Sequence, residues 1–364
     1  MFIEIHLIQN FAPSNLNRDD TNNPKDCEFG GVRRARISSQ CLKRAIRWDD
    51  SFARTTGVSV SQRTVRIASE LKKGLQQQGQ SEENAQKLAE EFARNYSSKK
   101  AALDEGKTNV LLFLSQEEIK EIVLHLVEIV DKPDEIKKYA EDFAKSTKKR
   151  PAAPDIALFG RMLADRPETN VDAACQVAHA ISTHAVNMDI DFFTAVDDLL
   201  PEGETGAGMM GVTGFNSACF YRYACIDFDL LKANLNGDAA LARRTVEGFL
   251  RASVHAVPTG KQNSFGAQNP PSFLLAVVRS DGQCWSLANA FEKPVHPNAK
   301  NSLVQGSIAA LDAYWKKLID FYGGAVTPVV ACLDGAEALD SLKAAQVASL
   351  EEWVHGAVAA LPQE

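Results

Sequence analysis

The sequence lacks most of the signatures that mark an enzyme, a secreted scaffold or a membrane protein. Its seven cysteines, Cys27, Cys41, Cys175, Cys219, Cys225, Cys284 and Cys332, include no C-x-x-C pair, and several stand among apolar neighbours. Reduced thiols in a reducing cytoplasm are therefore expected, rather than disulfides or zinc. No apolar run approaches the roughly 20 residues needed to cross a bilayer. The opening stretch MFIEIHLIQN has neither a basic n-region nor a cleavage site, which points to a cytoplasmic protein with no membrane partner. There is no H-E-x-x-H motif, and His179 and His184 are five apart, which does not place both squarely on one helix face; they read as structural. There is no Gly-x-Ser-x-Gly nucleophile elbow. The run Val257-Pro-Thr-Gly-Lys-Gln-Asn-Ser264 lacks the glycine spacing and the Lys-Ser/Thr of a phosphate-binding Walker loop. Asp19-Asp20, Asp189/Asp191 and Asp197-Asp198 could hold Mg²⁺, but loop acids more often cap helices or pair with arginines. No catalytic residue, metal or cofactor is expected.

What is present is a folded protein of 364 residues, 45% hydrophobic and 24% charged, long enough for one large domain or a core with a sizeable insertion. A net charge of −7 argues against a general polyanion binder, yet leaves room for a local basic patch.

Phe2 to Leu7 alternate in the manner of a core strand. Residues 10–31 break all periodicity with Asn, Asp, Pro and Gly and end in Gly30-Gly31, a loop long enough to be functional. A helix follows, capped by Ser38 or Ser39, with Cys41, Leu42, Ala45 and Ile46 on one face and Gln40, Lys43, Arg44 and Arg47 on the other. Residues 61–149 are strongly helical, with a capping box at Ser115-Gln-Glu-Glu118 and Pro133-Asp134 opening another helix, and read as an inserted helical subdomain. Beyond Pro151, Asp155-Ile-Ala-Leu-Phe-Gly160 reads as a strand and residues 172–183 as a helix. Residues 186–214 read as irregular, ending in a glycine-rich tract at Gly203, Gly206, Gly208, Gly211 and Gly214. Residues 215–230 alternate like a strand and 241–256 are helical. Strands are expected at 272–279 and 283–288, joined by an Asp281-Gly282 turn, then a helix over 302–321 and another near the C-terminus. This order predicts an α+β fold with a ferredoxin-like or RRM-like core formed by residues 1–60 and 150–364.

The sharpest feature is the interval from Phe29 to Trp48. It holds Arg33, Arg34, Arg36, Lys43, Arg44 and Arg47, six cations in twenty residues, and no acid. Guanidinium groups suit bidentate phosphate contacts, and serines at a helix start add hydroxyls and backbone N–H groups for an anion. A solvated basic helix face is the plainer alternative. The loop cluster Lys261-Gln-Asn263, followed by Asn269-Pro-Pro271, is either a further phosphate or ribose contact or an ordinary surface loop.

A set of ordered blocks spans most of the chain: Leu16-Asn-Arg-Asp-Asp20, Phe29-Gly-Gly31, Arg33-Arg-Ala-Arg-Ile-Ser-Ser-Gln40, Leu42-Lys-Arg-Ala45, Gly160-Arg-Met162, Ala178-His-Ala-Ile-Ser-Thr-His184, Asp189-Ile-Asp-Phe-Phe193, Phe220-Tyr-Arg-Tyr-Ala224 and Ala288-Asn-Ala-Phe-Glu-Lys293. Together they resemble the CasC family, the backbone subunit of the type I-E CRISPR complex Cascade. The resemblance implies an RRM-like palm, a helical fingers subdomain over 61–149 and an irregular thumb at about 186–214. Copies of the chain would stack head-to-tail on a CRISPR guide RNA beside other Cascade subunits, and target DNA would pair with the guide. Carried over by position, Arg34, Arg36, Ser38, Ser39, Gln40, Lys43 and Arg47 would hold the guide backbone. Arg18, Arg161, Lys261, Gln262 and Asn263 would add contacts, and Met162 and Phe193 would wedge beside a displaced base. Related backbone subunits cut RNA with a loop aspartate, which makes Asp19 or Asp20 the alternative, catalytic reading. A generic single-strand RNA-binding protein is the weaker rival.

Overall fold

The computed structural model describes residues 1–97, 104–130, 132–199, 207–299 and 301–363. The chain is a mixed α+β protein whose described residues divide into two compact units, those of 1–51, 177–225 and 249–362 in the first, and those of 52–176 and 226–248 in the second.

The first unit is built on one sheet. Its spatial order runs Gln346–Val347, Val326–Cys332, Phe273–Arg279, Phe2–Ser14, Ala207–Asp227, Ala180–Ser182, Val32–Ile37, Asp26–Phe29. The opening strand is buried along both faces, which the alternation of its first residues does not disclose. Antiparallel register sets Glu4 opposite Val277, His6 opposite Leu275 and Ile8 opposite Phe273, so these six share a face. That face packs with Val304, Ile308, Leu311 and Trp315 of the helix Leu303–Tyr322 and with Leu287 and Phe291. Ile5 and Leu7 point the other way, toward Leu42, Ile46 and Phe249. Phe11, Ala35, Ile37, Leu42, Ala180 and Phe220 continue the core on that second side. Trp353 of the terminal helix Leu350–Ala359 is fully buried and donates its indole N–H to Val329 O.

The second unit is chiefly helical. Helices Ile67–Gln77, Glu82–Ser97, Gln116–Glu128 and Pro133–Lys145 enclose Leu71, Leu75, Phe92, Tyr96, Ile122, Leu126 and Phe143. The expected capping box is present: Ser115 accepts from Glu118 N–H and the Glu118 carboxylate accepts from Ser115 N–H. Asp155 is buried and takes both the N–H and the hydroxyl of Ser61. No helix among the described residues is long and apolar enough to cross a membrane.

Several expectations need correction. Residues 154–159 form a helix (Pro154–Phe159), not a strand: Pro154 occupies its first turn, where a missing N–H costs nothing. Residues 172–183 are not a helix but contain strands Cys175–Val177 and Ala180–Ser182. Within 186–214, residues 189–196 and 207–214 are not irregular: Asp189–Val196 pairs antiparallel with the start of Ala207–Asp227 in a β-hairpin. Gly203 and Gly206 lie outside the described residues. Residues 283–288 are not a strand, because their backbone donors are taken by side chains: Trp285 N–H by Glu4 and Leu287 N–H by the Tyr221 hydroxyl. Gly30-Gly31 closes a two-residue hairpin with φ of 63° and 75°, so the tail of the expected long loop is instead the hairpin Asp26–Phe29 and Val32–Ile37.

A buried polar cluster lies on the helix-covered face of the sheet. Glu4 Oε1 accepts from Arg279 Nε at 3.0 Å and from Trp285 N–H at 2.9 Å, and Arg279 stacks 4.0 Å from the Trp285 ring centroid. The Tyr221 hydroxyl accepts the Leu287 N–H and lies 2.9 Å from His6 Nδ1, while His6 Nε2 lies 3.5 Å from Glu4 Oε2. Burial lowers the pKa of His6 and holds it neutral. Burial also opposes the charge of Glu4, but His6 and Arg279 outweigh it and hold the carboxyl below its usual range. Both folded-state values being depressed, the stability they contribute is lost as pH falls, not as it rises. Glu4→Gln, which strands the buried guanidinium, is expected to cost about 3–5 kcal/mol in urea unfolding of the full chain. A loss below about 1 kcal/mol would show that Arg279 does not depend on Glu4.

Candidate nucleic-acid interface

The basic segment is divided by its own strand and helix. In Val32–Ile37 alternate residues face opposite sides. Arg33 is exposed and ion-paired with Asp26, while Arg34 is fully buried. Arg34 gives its guanidinium to four backbone carbonyls: Phe29 at 3.1 Å, Ser182 at 3.2 Å, Phe291 at 2.7 Å and Glu292 at 3.2 Å. It is therefore an internal clamp and not a surface contact. The carbonyl of Glu292 also lies so close to Gly30 that no side chain fits there. Arg36 is half-exposed, with Nε donating to Asp26 O and Nη1 2.9 Å from His179 Nδ1. His179 has a lowered pKa, first from burial and then from the charges of Arg36 and Lys25.

Helix Ser39–Arg47 begins where this strand ends. Ser38 is its cap, accepting from Cys41 N–H, and the Ser38 N–H is held at 2.8 Å by Asn17 Oδ1. Ser38 itself is buried, so its hydroxyl serves the helix. Ser39 and Lys43 are half-exposed, and Gln40 and Arg44 are exposed. Arg47 is only 8% exposed and is engaged within the protein, unlike the solvated position expected of it.

The loop before the hairpin is tightly stitched. Asp19 Oδ1 accepts from the N–H and hydroxyl of Thr21 and from Asn23 N–H, and these bonds, the Thr21 hydroxyl foremost, hold its carboxyl below the usual range. Arg18 donates to Asn22 Oδ1 at 3.0 Å and is exposed. Asn15 is buried and donates to both Asn22 O and Gly214 O. This ties the loop to the base of the hairpin Asp189–Val196/Ala207–Asp227.

Between loop and helix lies an open groove of about 470 Å³. Arg18 and Asp19 line one side, Cys41 and Arg44 another, and Pro258, Thr259 and Gly260 the third. Gly260 sits against the carbonyl of Leu16, an approach that excludes any side chain. The next residue, Lys261, adopts the left-handed conformation (φ 51°) and opens the short helix Gln262–Phe265. Gln262 turns its amide inward to Pro258 O and Ala267 O, while Asn263 is exposed. Phe265 packs on Phe215 at 5.6 Å between ring centroids. Of the expected contacts only Arg18 lines the groove itself, together with Arg44; Ser39, Gln40 and Lys43 belong to the same helix start and helix as Arg44, and Lys261 follows Gly260 in the chain.

On the hairpin, Phe193 is 39% exposed and lies across Gly211, its register partner, where even a methyl group would collide with the ring. Ile190, Phe192, Val212 and Met210 form an exposed apolar strip on the opposite face. Met162 and Arg161 belong to the second unit. Met162 is 83% exposed beside Leu111, also exposed. Arg161 is buried, paired with Glu118 at 3.0 Å and bonded to Thr169 O, so it anchors the capped helix start and offers no contact surface. Among the described residues no group of three or more His, Cys, Asp or Glu side chains could hold a metal ion.

Asn17, Lys25 and His179 were not singled out by sequence as site residues, and Arg44, though part of the basic run, was not among the contacts the resemblance implies. Arg44 was legible from its four-residue spacing to Gln40, whereas Asn17 and His179 act through long-range contacts that no local pattern encodes.

Comparison with curated proteins gave no match. Among solved structures, a chain of a "CRISPR RNA-guided surveillance complex, pre-nicking" is similar at 33% identity and TM-score 0.87, over 99% of this chain and 100% of that one. A chain of a "CRISPR RNA-guided surveillance complex" is similar at 27% identity and TM-score 0.75, over 99% and 100%. Residues 3–356 match the model of the CT1975-like protein family. The chain belongs to that family, the CasC family of the type I-E Cascade complex.

Proposed function

We propose that the chain is a non-catalytic, guide-RNA-binding backbone subunit of a cytoplasmic Cascade-type surveillance complex. Copies of it would follow one another along the guide, beside other subunits, and present the guide to target DNA. The observation that carries this reading is the acid-free basic helix face bordering the groove in a chain of net charge −7.

Backbone contacts are indifferent to sequence, so a face of Arg18, Gln40, Lys43 and Arg44 can hold any guide, while base pairing reads the target. A sheet covered on both faces, as the first unit's is, cannot stack bases on open strands in the manner of an RRM. The rim of the sheet is then the available surface, and the loop, helix and Lys261 segment meet there. The strand order with Phe2–Ser14 between Phe273–Arg279 and Ala207–Asp227 supports a ferredoxin-like palm. The helical second unit takes the role of fingers and the β-hairpin that of a thumb. Phe193 and Met162 are exposed apolar side chains able to stack on any base. A nuclease role for Asp19 is disfavoured because one of its oxygens already accepts three hydrogen bonds that shape the loop. Asp20 is exposed, with no cluster of ligands around it among the described residues.

The Lys43→Gln, Arg44→Gln pair removes two surface charges without opening the core. It is expected to weaken guide binding for every spacer and to reduce the slope of log K against log salt by about 1.4, at roughly 0.7 per phosphate contact on a single strand. Filter binding at several salt concentrations measures this; an unchanged slope, or a loss confined to some spacers, contradicts it. Gly211→Ala should displace the Phe193 ring and, like Phe193→Ala, change chemical probing of the guide at regular intervals while the complex still assembles. An unaltered probing pattern in both variants would remove the wedge role.

A further inference from the structure

Cys225 and Cys284 are 59 residues apart in sequence, yet their sulfurs stand 2.6 Å apart. Non-bonded carbon atoms keep about 3.5–4.0 Å, and sulfur is larger, so the two thiols are nearer to bonding distance than to contact distance. Neither sits on a mobile end. Cys225 lies in the long strand Ala207–Asp227, at the point where the chain leaves the first unit, and is 6% exposed. Cys284 is half-buried on the segment that follows Phe273–Arg279, next to Trp285, whose N–H is held by the buried Glu4.

We propose that Cys225 and Cys284 are a reversible two-electron redox site whose oxidant is a peroxide. Cys284, the more exposed of the two, attacks first as the thiolate. Its sulfur bonds to one peroxide oxygen, the O–O bond breaks, and the departing hydroxide takes a proton to become water. Cys284 is left as a sulfenic acid. Cys225 then gives up its proton and attacks that sulfur. The S–S bond forms, the S–O bond breaks, and a second water leaves. Two thiols and one hydrogen peroxide become one disulfide and two waters; the sulfurs lose two electrons and the oxygens gain them. A thiol or dithiol reductant reverses the step by exchange.

The position gives the bond a consequence. From Cys284 the chain runs on to Leu287, held by Tyr221, and to Phe291 and Glu292, whose carbonyls receive Arg34. A disulfide at its start ties that segment to the central strand and so braces the support beneath the basic face. The other thiols are differently placed: burial pushes the Cys219 thiol up to about 11, with the Ser307 hydroxyl as its neighbour, and the Cys332 thiol also to about 11.

Full-length chain is treated with hydrogen peroxide, residual thiols are alkylated, and the protein is weighed intact and digested without reductant. The expected product carries five alkyl groups where the reduced chain carries seven, is two hydrogens lighter apart from those groups, and yields one linked peptide pair joining Cys225 to Cys284, reversed by dithiothreitol. The link is absent from Cys284→Ser and Cys225→Ser and kept in Cys332→Ser. Closing this loop should also raise Tm by roughly 5 °C in the oxidised chain, an increment that dithiothreitol removes. Cys284→Ser, at the half-buried position, serves as the control if Cys225→Ser fails to fold. Both thiols alkylated after peroxide, a sulfinic acid at Cys284 with no link, or links to other cysteines would each overturn the proposal.

Discussion

The arrangement of the candidate interface depends on one buried guanidinium. Arg34 sits in the middle of a basic run, yet it is fully buried while Arg33 is exposed and Arg36 half-exposed. Its four carbonyl partners come from the Gly30-Gly31 hairpin, from Ser182 and from the Phe291-Glu292 corner. An arginine buried without a carboxylate is tolerable only when its donors are satisfied, and the carbonyls supply that. In return the strand Val32–Ile37 is fixed in place, and with it the start of the helix that carries Gln40, Lys43 and Arg44. A charge that looked like an RNA contact is what makes the surrounding charges a surface.

From that anchor the remaining parts follow by short links. Asn17 bridges the loop to the helix cap, Asn15 bridges the loop to the hairpin at Gly214, and Phe265 joins the Lys261 segment to Phe215. None of these residues is charged, and none would be chosen from sequence as a ligand contact. They bring Arg18, Arg44 and Gly260 to one groove, with an exposed apolar hairpin rising from the same loop.

The sequence disclosed what is local and withheld what is long-range. The Ser115–Glu118 capping box, the Ser38 cap and the helices around 241–256 and 302–321 were legible because caps and helical periodicity act within a few residues. Asp155-Ile-Ala-Leu-Phe was misread because a short apolar run fits a buried helix as well as a strand; Pro154 was the overlooked signal. Residues 283–288 failed as a strand because Glu4 and the Tyr221 hydroxyl, far away in sequence, capture the backbone donors a ladder would need. The hairpin formed by Asp189–Val196 and Ala207–Asp227 was hidden by its glycines, which read as irregular structure but serve packing: Gly211 makes room for Phe193, and Gly214 for Met188 and Asn23. At the interface, the basic composition was plain while its division into surface and clamp was not, since Arg34 and Arg161 differ from their neighbours only in burial.

The central claim is that this basic face holds guide RNA, and co-purified RNA tests it most directly. The chain would be expressed with the other subunits of its complex and a CRISPR array, purified, and the bound RNA sequenced, in parallel with the Lys43→Gln, Arg44→Gln variant. The expected result is uniform spacer–repeat RNA on the unaltered chain and a reduced yield of that RNA, across all spacers, on the variant. Heterogeneous cellular RNA, no RNA, or equal recovery from both proteins would contradict the account.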